Sequence, residues 1–172
     1  MVTKDDRGFS NLLACAENIG VRKMPYFAYL MQKAGFDLSY RYSIRLDSIK
    51  SHGLISSLGD LVSQGFVTRD YLITDNGETA LEGYFITKAE SELCERVVKL
   101  AKTLSVTQLY MLCVIDIIIQ DTLAEGGYLA LIRDKDKIKS TVKDLCSAYT
   151  DEDFDTSVGI LRGLRKEGSD EK

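Results

Sequence analysis

Apolar residues recur along the chain at three- and four-residue spacing, with glycines and small polar residues between the runs. That period predicts a succession of amphipathic helices. Ser10 caps a first short helix whose stripe is Leu12, Leu13, Ala16 and Ile19, and Gly20 can take the left-handed backbone that ends it. A second helix is predicted over Pro25 to Ala34. Pro25 fits only in the first turn, where its missing N–H has no helical partner, while Phe27, Leu30, Met31 and Ala34 face inward and Gly35 stops the element. Asp37 to Leu46 alternates loosely and is rich in Tyr and Ile, which reads either as extended chain or as a helix start. Ile55, Leu58, Leu61 and Val62 share one side of a helix over Ser56 to Gln64, with Gly65 as its stop. Phe66 to Thr74 reads as two short strands turning near Arg69-Asp70, and Asn76-Gly77 as a tight turn into the next helix. Helix, extended link, short helix and strand pair are, in this order, the parts of a winged helix with 66–74 as its wing. Tyr26, Phe27, Leu30, Leu58 and Leu61 are the expected core of that lobe.

Downstream the pattern is helical throughout. Thr87 and Glu90 have the spacing of a capping box, followed by Leu93, Val97, Leu100 and Leu104. Ser105 and Gln108 repeat the spacing and open the most hydrophobic helix, predicted to run to Leu123 and to be broken off by Gly126-Gly127. Its polar residues Ser105, Gln108, Asp116 and Gln120 share a narrow stripe, which places Asp116 at an exposed edge or in a simple hydrogen bond. Such a helix must be enclosed on most sides, either as the central rod of a helical lobe or as part of a dimer seam. Ile117, Ile118 and Ile119 favour a homodimer in which the same patch meets itself. Ile138, Val142, Leu145 and Tyr149 mark one further helix and Phe154, Val158 and Leu161 the last, with a charged, fraying tail after Leu164. The expected fold is mainly α: a winged-helix-like lobe over 1–87 with a small β-wing, then a helical lobe over 88–172, packed as one unit.

Composition narrows the choice of partner. The chain has 172 residues, 45% hydrophobic, and 22 basic against 26 acidic side chains, a net charge of −4. The first 87 residues hold 9 basic and 10 acidic groups and the remainder 13 and 16, so neither lobe has the positive field that marks most nucleic-acid binders. Cys15, Cys94, Cys113 and Cys146 are dispersed among apolar neighbours, with one histidine in the whole chain. They read as buried reduced thiols rather than zinc ligands, and so point to the cytoplasm. No signal-peptide core opens the sequence, and the apolar run from Leu109 to Ile119 is shorter than the roughly 20 residues that span a bilayer. No membrane association is expected.

The candidate chemistry is that of binding. His52 has no nucleophile in a recognisable setting beside it, and the acids Asp151, Glu152, Asp153 and Asp155 lack the glycine and the closing glutamate of a calcium loop, Thr156 and Arg162 standing there instead. Phosphate-loop, nucleophile-elbow and zinc-protease motifs are absent. No catalytic residue, metal or cofactor is therefore expected. As a DNA reader, the helix Ser56 to Gln64 presents Ser56, Ser57, Asp60, Ser63 and Gln64, of which only Gln64 suits base recognition. Phosphate contacts would have to come from Arg41, Arg45 and Lys50 before it and Arg69 on the wing.

Three stretches carry a resemblance. Lys23-Met-Pro-Tyr26-Phe-Ala-Tyr29-Leu30-Met-Gln-Lys-Ala-Gly35, then Leu38-Ser-Tyr40-Arg-Tyr42, then Gly53-x-x-Ser56-x-Leu58-x-x-Leu61-x-x-x-Gly65 resemble the Panacea-type and YwgA-like group of small bacterial proteins over roughly residues 20 to 90. The resemblance implies a winged-helix-like fold and antitoxin-associated, regulatory or defence roles. His52, Leu54 and Ile55 stand where that group has the tyrosine, proline and tyrosine of its turn, so partner contacts there would differ. The expected function is a non-enzymatic protein-interaction module, with a DNA-binding transcriptional regulator as the alternative. The expected contact residues are Tyr40, Arg41, Tyr42, Arg45, Lys50, His52, Ser56, Ser57, Asp60, Gln64 and Arg69.

Overall fold

The structure, a computed structural model, describes residues 12, 13, 15, 16, 19–36, 38–77 and 88–164, the side chains of 88–91 and 125–132 excepted. The caps expected at Ser10 and Thr87 and the tail after Leu164 lie outside the described residues. The chain is mainly helical with a small two-stranded antiparallel sheet set between helices. In order the elements are α1 (Met24–Lys33), β1 (Ser43–Arg45), β2 (Ser48–Lys50), α2 (His52–Ser63), α3 (Lys88–Thr103), α4 (Val106–Arg133), α5 (Lys135–Leu145) and α6 (Asp151–Leu164).

Local chemistry sets several ends where the sequence places them. At the end of α1 the N–H of Phe36 bonds to the carbonyl of Met31 and that of Gly35 to the carbonyl of Gln32, while Gly35 adopts φ +101°. At the end of α2, Phe66 and Gly65 bond to Leu61 and Val62 in the same way, with Gly65 at φ +73°. Both are Schellman closures, which need a left-handed residue that glycine supplies without a Cβ clash. Ser105 and Gln108 exchange side-chain bonds with each other's backbone N–H at 3.2 and 2.9 Å at the head of α4, and Thr150 and Asp153 do the same before α6.

Five features differ from expectation. The Ser51 hydroxyl accepts the Leu54 N–H at 3.3 Å, so α2 begins at His52 rather than Ser56. Its inward stripe becomes Leu54 and Leu58, with Leu61 and Val62 half-buried, and Ile55 turns outward at 56% exposure. The regular strand pair is β1–β2, ahead of α2, where Ile44 opposite Ile49 gives the hairpin an apolar inner face. The segment 66–74 closes on a single bridge, Val67 to Ile73, because a three-residue loop takes up Arg69, Asp70 and Tyr71, the last at φ +62°. Asn76-Gly77 does not form a separate tight turn: residues 75–77 are helical, and the Thr74 hydroxyl accepts the Gly77 N–H at 3.1 Å.

The fifth is α4, which continues through Gly126-Gly127 to Arg133. A glycine inside a helix costs about 1 kcal/mol, which tertiary packing can outweigh. Every residue from Leu109 to Ile115 is buried, and so is Asp116, as expected of a central rod. Ile119 is buried inside the chain too, while Ile117 and Ile118 are half-buried against the core. At this length the argument against a span no longer holds: Val106–Ala124 is long and apolar enough to cross a membrane, and half of it is buried in the fold.

Long-range contacts join the two halves. Lys23 donates to the carbonyls of Ala101 and Leu104, both at 2.7 Å, at the end of α3. Cys15 and Cys94 form a disulfide across 79 residues, which corrects the expectation of reduced thiols and removes the support it lent to a cytoplasmic location. Cys113 and Cys146 are free and buried, and burial raises the pKa of both thiols. Asp116 is only 2% exposed, so of the two expected alternatives the exposed edge fails and the hydrogen bond holds. It accepts the Tyr29 hydroxyl at 2.7 Å and pairs with the Lys33 ammonium at 3.3 Å.

Candidate functional site

Chain leaving α1 runs back along it in extended form, and α1 itself fixes that course. The Gln32 side chain receives the Tyr40 N–H at 3.1 Å and donates to the Tyr40 carbonyl at 3.0 Å, acting as a one-residue strand partner. Two residues on, the Tyr42 ring packs edge-on to Tyr29 with centroids 5.0 Å apart. The Tyr42 hydroxyl is buried without a partner among the described residues, and desolvation raises its pKa strongly. Gln32 carries no sequence signal of this role; an exposed-looking glutamine late in a helix has nothing to mark it.

Between this strand and the head of α2 lies an open pocket of 440 Å³. Tyr40, Arg41, Tyr42, Lys50 and His52 line it, together with Ser39, Ser43 and Gly53. A Cβ on Gly53 would sit 3.1 Å from the Tyr40 ring, so the glycine is what lets the ring lie against the first turn of α2. Among the described residues, no carboxylate lines this pocket. The three other pockets described each contain an aspartate, Asp70, Asp47 or Asp153, and no basic residue. In a chain of net charge −4 the contrast is marked.

The hairpin extends the basic surface. Ser43 pairs with Lys50 and Arg45 with Ser48, so with Ile44 and Ile49 turned inward these four form the outer face, and Arg45 stands on the same side as Lys50. Arg41, Arg45, Lys50 and His52 are exposed, and no ion pair engages them among the described residues. Leu46, at the hairpin turn, is 79% exposed. Ile55 follows His52 by three positions and so shares its side of α2.

Five of the eleven expected contact residues thus meet at one pocket and Arg45 adjoins it. The rest do not gather there. Ser56 and Asp60 are exposed further along α2, Asp60 about 12 Å down the axis from His52 at 1.5 Å per residue. Ser57 is half-buried rather than outward, and Gln64 lies past the last turn as the C-cap. Arg69 sits in the loop of the second hairpin, beside the aspartate-bearing pocket that also contains Tyr71 and Leu72. No protein-family model, curated protein or solved structure matches the chain.

Proposed function

We propose that this protein is a non-enzymatic interaction module, antitoxin-like or a regulatory adaptor, that binds a protein partner through the surface from Ser39 to Ser56. The observation that carries the reading is the mixture on that surface: Tyr40 and three basic groups around one pocket, flanked by exposed Leu46 and Ile55. Protein interfaces combine aromatic and arginine anchors with apolar contact in this way. The resemblance of residues 20 to 90 to the antitoxin-associated group points in the same direction.

DNA binding is the second reading, and Arg41, Arg45 and Lys50 on one face favour it. Against it, α2 contains no lysine or arginine and presents Asp60 and Ile55 to any groove it entered. Arg69, which should have joined the other three, lies on a different hairpin. In both readings α4 is a core helix of a water-soluble fold, supported by the run of buried positions at its centre.

The test uses the immobilised protein and its Arg41→Ala and Ile55→Asp variants against nuclease-treated lysate, with a gel shift on duplex DNA at low and moderate salt alongside. The expected result is a captured protein lost in both variants and no salt-sensitive DNA complex. Capture indifferent to both substitutions, or a DNA complex whose affinity falls steeply with salt, overturns the reading.

A further inference from the structure

Resting on that reading, we propose that the pocket between residues 39–43 and the head of α2 is a phosphomonoester site, which seats one phosphorylated side chain of the protein partner. Its walls hold two permanent cations, Arg41 and Lys50, and the His52 side chain, with no carboxylate among the described residues to neutralise them. A second contribution comes from the backbone. The N–H of Leu54 is taken by the Ser51 hydroxyl and that of Ile55 by the Ser51 carbonyl, whereas those of His52 and Gly53 have no protein acceptor among the described residues. They lie in the first turn of a 12-residue helix with no acidic side chain there, so its positive end is uncompensated.

Charge and shape select the ligand. Two full cations and a helix end of roughly half a charge match the −1.5 to −2 of a phosphomonoester at neutral pH better than the single charge of a carboxylate, which one arginine satisfies. The Tyr40 ring, held by Gln32 on its backbone and lying against Gly53, supplies an apolar wall for the carbon that bears the phosphate. A nucleic-acid strand would instead need a track of cations. Beyond this pocket α2 offers Asp60, and the second hairpin has Asp70 next to Arg69.

The direct test is an NMR titration of the full-length 15N-labelled protein with phenyl phosphate, with benzoate and a short DNA duplex in parallel. Arg41→Ala and Lys50→Ala are the variants; both residues are exposed and outside the ion pairs described, so the fold is retained. Phenyl phosphate should shift the amides of His52 and Gly53 saturably, and each variant should weaken it by about tenfold. Benzoate should bind more weakly by a similar factor. Absence of saturable shifts, or equal affinity for benzoate, overturns the phosphomonoester site; if Arg41→Ala still abolishes capture of a protein partner, the interaction reading survives that failure. Preferential binding of the duplex overturns both. Phosphatase treatment of the lysate should remove the captured partner, and capture that persists would refute a phosphorylated occupant.

Discussion

Tyr29 is buried and its neighbour Tyr42 half-buried, both hydroxyls are enclosed in opposite circumstances, and replacing each by phenylalanine separates a used hydroxyl from an unused one. Tyr29→Phe removes a 2.7 Å bond to a carboxylate that is 2% exposed, and leaves the ring in place. A hydrogen bond to a charged group contributes about 1.5 to 3 kcal/mol, and the loss falls on an acceptor that water cannot readily reach. Asp116 keeps its Lys33 partner at 3.3 Å, which holds the cost below that of an unpaired buried charge. The expected loss is therefore about 1.5 to 3 kcal/mol, or roughly 3 to 12 °C in Tm for a domain of this size. Tyr42→Phe takes away a hydroxyl that is buried without a partner, so it should be neutral or stabilising by up to about 1 kcal/mol. Urea unfolding at neutral pH, with both variants compared at an unchanged m value, reads the two effects directly. Equal destabilisation by the two substitutions, or a Tyr29→Phe protein within about 0.5 kcal/mol of the parent, would show that the Tyr29–Asp116 bond does not stabilise the fold.

The remaining expectations follow from burial and covalent linkage. Leu58→Ala should cost about 2 to 5 kcal/mol and Leu61→Ala less, since Leu58 is 3% exposed and Leu61 only half-buried; thermal melts that reverse the order would contradict the packing of α2. Burial raises the pKa of Tyr29 and Tyr42 strongly and pushes that of Tyr149 up to about 12, so the folded state holds these protons more tightly than the unfolded one. The stability they confer is complete below the unfolded value of 10 and is lost as pH rises from there through the folded values. Alkaline melts should show Tm falling above about pH 10, with part of the tyrosinate absorbance of the nine tyrosines appearing only with unfolding. Reduction of Cys15–Cys94 should lower stability by about 2 to 5 kcal/mol, and intact mass under non-reducing conditions should be two hydrogens lighter than after reduction.

What could be read from the sequence was local. Gly35 and Gly65 stop their helices because a left-handed closure needs no information beyond the adjoining turn, and Ser105 with Gln108 caps within four residues. The mainly helical class with a small β element also follows from periodicity. The clustering at the candidate pocket was legible in part: Tyr40 to Tyr42, Lys50 and His52 stand out as exposed-type aromatics and cations crowded into a short stretch. What failed was the choice between adjacent turns and between distant partners. Both Ser51 and Asp47, which start α2 and turn the hairpin, are ordinary polar residues whose role depends on the next few bonds formed. The pairing of Cys15 with Cys94, of Gln32 with the backbone of Tyr40, and of Asp116 with Tyr29 arises only once the elements pack.

Lys23 precedes α1, yet its ammonium closes the carbonyl end of α3, across 78 residues to Ala101 and 81 to Leu104. A polypeptide cut between Gly77 and Lys88 would leave α3 without that cation and Lys23 without those acceptors, and α1 would lose the α4 surface on which Tyr29 meets Asp116. The two pieces are therefore complementary parts of one folding reaction rather than portable halves. Expressed apart they should be poorly structured, and on mixing they should restore each other, which suits the chain to use as a split reporter that signals only when its parts are brought together.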